Sequence, residues 1–147
     1  MYRTLKRPAA WIAAAVLAFF LLAAADLALR SRSALLRAER EEAWRENPSA
    51  KAAYFEALYS RDTAKDNSAA PETAARAANL RLADKESKIS ESSAKMAYIW
   101  YKTAAEDFYF PMNPWAAKAR NRLPSALAAW RAELAKKGVK AEDWMLK

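Results

Sequence analysis

Cysteine and histidine are absent from this 147-residue chain, and glycine occurs once, at Gly138. Without cysteine there is no thiolate metal site, no disulfide and no thiol nucleophile, although the redox compartment stays open. Without histidine the chain lacks the commonest general base near neutral pH and the commonest metal ligand. A single glycine does not build a phosphate-cradling loop, which needs several residues that tolerate positive φ. No cofactor and no metal are therefore expected. Val16 and Val139 are the only valines, and no segment of strand length alternates apolar with polar residues. Carboxylate pairs such as Glu106–Asp107 and Glu41–Glu42 are adjacent in sequence and diverge on a helix, so a non-enzymatic protein is expected.

Alanine fills the space these absences leave, with 38 occurrences. It is the best helix former because it loses no side-chain entropy, so the expected fold class is all-α. Residues Ala9 to Ala25 form an uninterrupted apolar run, and extension to Leu29 adds one interruption, Asp26. At ~1.5 Å per residue, residues 9–29 cover about 30 Å, the thickness of a bilayer core. Trp11 sits near one end, where an interfacial aromatic is expected. The segment reads as an uncleaved signal anchor behind a basic tail, residues 1–8, with Arg3, Lys6 and Arg7. A cleavable signal peptide is the alternative, with Ala23–Ala25 before Asp26 as its small-residue site. Five basic residues follow between 30 and 45, so the positive-inside count does not fix orientation. The short basic N-terminus favours residues beyond 30 lying outside the cytoplasm.

Residues 30–47 lack helix breakers and carry a Glu41–Arg45 pair in the favourable i,i+4 order. They are expected to continue the span as a helical stalk. Leu29, Leu36 and Ala43 recur at sevens, but Arg32 and Glu39 stand between them, so solvated stalk and dimerising stalk both remain open. Asn47–Pro48 and Asn113–Pro114 each combine a capping asparagine with a proline at the first helical position. Helical pieces are expected near 48–61, 71–85, 93–110 and 114–123. Polar residues 60–70 make a loop, and residues 85–93 make a connection or frayed end. Pro124 is expected to open a further helix that Gly138 stops.

Two ordered blocks repeat. Ser49, Lys51 and Tyr54 are echoed by Ser93, Lys95 and Tyr98, an offset of 44, and Pro71 and Leu80 by Pro114 and Leu123, an offset of 43. Each copy reads helix, loop, proline-started helix, a hairpin that buries its apolar stripe only by stacking on a neighbour. The stretch from Tyr98 through Ile99, Trp100, Tyr101 and Phe108, followed by Asn113-Pro114-Trp115 and running to Leu123, resembles a tetratricopeptide-type repeat. It is similar to the membrane-anchored forms of bacterial envelopes. The resemblance implies two stacked hairpins with a C-terminal capping helix over residues 48–137 and a role as a protein-interaction scaffold; residues 138–147 read as a C-terminal tail.

Tyr98, Trp100, Tyr101, Phe108, Tyr109, Phe110 and Trp115 crowd one short stretch. Tyr98, Tyr101, Ala105 and Phe108 share a helical face that suits a core; the excess suits a partner-binding surface. The chain carries 25 basic and 17 acidic residues, a net charge of +8. Lys118, Arg120, Arg122, Lys136 and Lys137 form a candidate surface for anionic lipid headgroups or an acidic partner, or else a solvated face. Nucleic acid is not expected to meet an outward-facing domain. The composite expectation is a single-pass accessory or assembly subunit of a membrane protein complex, in a bacterial inner (cytoplasmic) membrane with its C-terminal domain on the periplasmic side. A purely structural subunit and a secreted soluble binder are the alternatives.

Overall fold

Between Lys6 and Glu46 nothing breaks a helix, and the computed structural model places all of these residues in one helix, α1 (Lys6–Glu46), about 60 Å long by helical rise. The structure describes residues 6–63 and 71–139, so the tails expected at 1–8 and 138–147 fall largely outside it. Helices α2 (Pro48–Thr63), α3 (Pro71–Ser90), α4 (Ser93–Lys102) and α5 (Pro114–Lys136) follow, with a π turn (Thr103–Asp107) extending α4. No strand occurs among the described residues, in keeping with the all-α expectation.

The ends of these helices follow their local chemistry. Asn47 Oδ1 accepts from the Ala50 amide at 3.3 Å and from Ser49 Oγ at 2.6 Å, starting α2 one residue after α1 ends. Asn113 Oδ1 accepts from the amides of Trp115 and Ala116 at 3.1 and 3.4 Å, while its Nδ2 donates to the Phe108 carbonyl. Gly138 stops α5 at φ 71°, with the Val139 amide reaching back to the Leu134 carbonyl and the Gly138 amide to that of Ala135. This is the paired reach-back of a Schellman ending.

Three boundaries differ from expectation. Helix α3 runs on to Ser90, so only Glu91 and Ser92 connect it to α4, and residues 85–90 are helix. The piece expected at 93–110 changes register at the π turn, where the Phe108 amide bonds the Thr103 carbonyl at 3.3 Å. Pro124 opens no new helix; it lies inside α5. An interior proline costs about 3 kcal/mol, and apolar contacts on both sides offset it here. Ala126 is buried, and Leu123, Leu127 and Trp130 pack against the same core.

That core joins the C-terminal half of α1 to α4, the π turn and α5. Ala34, Leu35 and Ala38 meet Ala97, Tyr98, Tyr101, Ala104, Ala105, Ala119 and Ala126. So many alanines let the helix axes approach closely. Two carbonyls at the π turn are satisfied by side chains from both neighbours, Ser31 Oγ donating to Ala104 at 2.9 Å and Arg120 to Ala105 at 3.3 Å. Tyr101 donates to Glu42 at 2.7 Å, so α4 runs antiparallel to α1; the Tyr98–Trp130 stack and the Ser92–Glu133 bond make α5 antiparallel to α4.

Residues 30–47 are therefore one wall of a three-helix bundle and not a free stalk. Leu29 and Leu36 are exposed, while the buried stripe is Ser31, Ala34, Leu35, Ala38 and Glu41. The pair α2–α3 closes on itself, through Lys85 to Glu56 at 2.8 Å and a Tyr59–Asp84 bond, and touches α1 near Trp44. No close backbone contact joins this pair to α4 or α5. The echoed tyrosines accordingly occupy unlike places: Tyr98 lies in the core, and Tyr54 is exposed beside Trp44.

The other half of α1 is largely exposed among the described residues. It is long and apolar enough to cross a membrane, and no residue of its most apolar window is buried. Ala23, Ala24, Leu27 and Ala28 alone are half-covered there, and their spacing continues the core stripe downward along α1.

Candidate functional site

Where α2 turns back across the end of α1, aromatic and cationic side chains gather that are far apart in sequence. Trp44 is buried, its ring 5.1 Å from Tyr54 and 5.6 Å from Phe55. The Arg40 guanidinium lies over both Trp44 and Tyr54, at 5.0 and 5.1 Å, and Arg37 lies over Trp100 at 4.7 Å. With Leu58 and Met96 these side chains line an open groove of about 250 Å³ between the bundle and the α2–α3 pair.

The groove floor holds a charged pair. Lys51 is 4% exposed, and its Nζ donates to the Glu91 carbonyl at 2.6 Å and to Ser93 Oγ at 3.2 Å. Glu41 Oε2 lies 3.8 Å from the same nitrogen and has no hydrogen-bond partner. Burial pushes the Glu41 carboxyl above its ordinary pKa, against the opposing pull of Ser93 and Lys51. A buried carboxylate held by one cation stabilises little, but removal of that cation strands it. Lys51 is thus a strut: it anchors α2 to the α3–α4 corner through contacts that a smaller or neutral side chain does not make.

Neither Arg37 nor Arg40 is ion-paired among the described residues. A guanidinium lying over an aromatic ring is held in place while its N–H fork stays available, the arrangement that suits carboxylate recognition. Chemically the groove offers a floor that holds the Lys51–Glu41 pair, aromatic walls and two pre-positioned anion-binding forks.

The residues singled out from sequence divide. Tyr98 and Tyr101 are 8% and 0% exposed and belong to the core, the role their shared helical face suits, so neither is open to a partner. Burial, then the bond to Glu42, drives the Tyr101 hydroxyl well above its usual pKa. Trp100, Phe108 and Trp115 pack half-buried against the core; Trp100 alone of these lines the groove. Tyr109, 54% exposed, and half-buried Phe110 lie at the opposite end, in the α4–α5 loop. The expected basic surface is interrupted. Lys118 pairs with Glu39 and Lys137 with Glu133, both at 2.7 Å, and Arg120 lies over Tyr109. Arg122 and Lys136 are exposed. At Glu133, burial acts upward, but bonds from Lys137 and Ser92 outweigh it and lower the pKa.

Sequence reasoning missed Arg37, Arg40, Trp44, Tyr54 and Phe55 as a unit. The signal was present locally, Arg40 and Trp44 at i,i+4 and a Tyr54–Phe55 pair just past the Asn47–Pro48 corner, but only the turn of α2 unites them. Comparison with protein-family models, with curated proteins and with solved structures finds no match to this chain.

Proposed function

We propose that this protein is a non-enzymatic, single-span membrane subunit whose groove between α1 and α2 receives an acidic segment of a partner protein. The observation that carries this reading is the pair of guanidiniums, Arg37 and Arg40, which have no ion pair among the described residues and are held over Trp100, Trp44 and Tyr54. Aromatic and arginine side chains dominate protein-binding hot spots, and a net charge of +8 draws acidic partners at low salt. The exposed apolar half of α1 supports the tether. The basic N-terminus supports a bacterial cytoplasmic membrane and an outward-facing domain, and the aromatic–arginine groove supports an accessory or assembly role.

The test is purification of the full chain from its native membrane in mild detergent, wild type beside Arg37→Glu/Arg40→Glu. Loss of one stoichiometric companion in the variant, with helicity and membrane extraction unchanged, supports the groove. An unchanged set of companions removes it from consideration.

A second reading, a secreted binder released by cleavage after Ala25, is favoured by one observation: every buried core residue among those described lies at or beyond Ser31. Such a cut spares the bundle. Intact mass of the mature chain decides, since a species beginning at Asp26 retires the anchor.

A further inference from the structure

At the end of the bundle remote from the groove, the α4–α5 loop carries apolar side chains that are wholly or partly exposed. Met112 is 95% exposed and Tyr109 54%. The Asn113 amide bonds the Phe110 carbonyl at 3.0 Å across Pro111 and Met112, and Met112 has φ 71°. Proline at the second position and positive φ at the third describe a type II turn, whose third position ordinarily takes glycine or asparagine. A long apolar residue there is strained as well as exposed, a combination that points to function.

The loop's height along α1 follows from three contacts. Ser31 meets the carbonyl of Ala104, Arg32 lies 5.5 Å from the Trp115 ring centroid, and Arg120 lies over Tyr109. Because α4 descends antiparallel to α1, the chain beyond Ala104 continues toward the N-terminal half of α1. The half-covered Ala23, Ala24, Leu27 and Ala28, on the bundle-facing side, mark how far that coverage reaches. The loop therefore stands level with the last turn of the apolar run. Arg30, Arg32 and Arg120 surround that level, and aromatics mixed with cations are the composition of a bilayer interface.

We infer that the α4–α5 loop is a second membrane contact: Tyr109, Phe110 and Met112 enter the headgroup–acyl boundary beside the α1 span and seat the bundle on the bilayer. The inference rests on the reading of α1 as a span. The continuity of the loop with that span selects lipid as its occupant.

The chain has no cysteine, so single substitutions give unique spin-label sites in the full protein. Met112→Cys, Leu17→Cys and Ser125→Cys are each labelled and reconstituted in vesicles of phosphatidylethanolamine and phosphatidylglycerol, then assayed for collision with oxygen and with a water-soluble nickel chelate. Label at Met112→Cys is expected to favour oxygen, as at Leu17→Cys, while the Ser125→Cys label favours the chelate. A lipid-exposed Leu17→Cys with a chelate-exposed Met112→Cys overturns the seat and leaves the span standing. A chelate-exposed Leu17→Cys overturns both. Dipolar broadening at Met112→Cys that vanishes on dilution with unlabelled protein reassigns the loop to contact between copies. Tyr109→Cys, outside the strained turn position, repeats the measurement should Met112→Cys fold poorly.

Discussion

The two helical pairs of this protein share a sequence pattern and have opposite fates. The pair α4–α5 lies against α1 and supplies most of the buried residues, from Ala94 to Ala126. The pair α2–α3 buries one described side chain, Lys51, and leaves Tyr54, Leu58, Leu80 and Leu82 exposed. A duplicated hairpin pattern does not decide which copy reaches the core; the surface that α1 offers does. The stripe of Ser31, Ala34, Leu35 and Ala38 matches one pair, and the other is held by a lysine strut and an aromatic corner.

Substitutions in the two pairs should separate accordingly, as read by urea denaturation of the full chain in detergent. Tyr101→Ala removes a fully buried ring from the bundle and should cost about 4 kcal/mol; a loss below about 1 kcal/mol would mean that the bundle is not the stable unit. Lys51→Met strands Glu41 and should cost ~3 kcal/mol at neutral pH, shrinking in acid as Glu41 takes up a proton. Hydrogen exchange should show α2 and α3 opening in that variant while α4 stays protected. Asn113→Ala removes two cap bonds from α5 and should cost about 1 kcal/mol.

Glu41→Gln should shift neutral-pH stability by less than ~1 kcal/mol, because it removes a buried charge while Lys51 keeps its other two acceptors. Its clearer effect is on pH dependence. The Glu41 pKa is raised on folding, so its contribution is fully present below the ordinary carboxylate range and lost as pH rises through the folded value. The glutamine variant should lose that fall, whereas the opposite trend from Glu133, lost as pH drops, should persist. Leu82→Ala, on the exposed pair, should change stability by less than about 0.5 kcal/mol.

Much of the helical punctuation was legible because it depends on neighbours in sequence: Asn47 and Asn113 cap, prolines 48 and 114 follow, and Gly138 stops. The apolar half of α1 was legible for the same reason. The packing was not. The buried stripe of α1 consists of alanine, serine, one leucine and one glutamate, which carry no periodic apolar signal against a background so rich in alanine, whereas the visible sevens at Leu29 and Leu36 point to solvent. Pro124 read as a helix start because its cost is local and its compensation, Leu123, Leu127 and Trp130 against the core, is tertiary. Likewise the crowd of aromatics near residue 100 was visible, but its division among core, groove and loop depends on the register shift at the π turn.

The unbroken course of α1 has a mechanical corollary. Trp44 lies about 28 Å beyond Ala25 along a helix without a hinge, so the apolar segment and the groove share one axle. One residue inserted near Leu22 would turn the two ends about 100° relative to each other and lengthen the shaft by ~1.5 Å. Four would bring the bearing back to within about 40°. A docked partner sensitive to azimuth would lose its grip after the first insertion and recover it after the fourth.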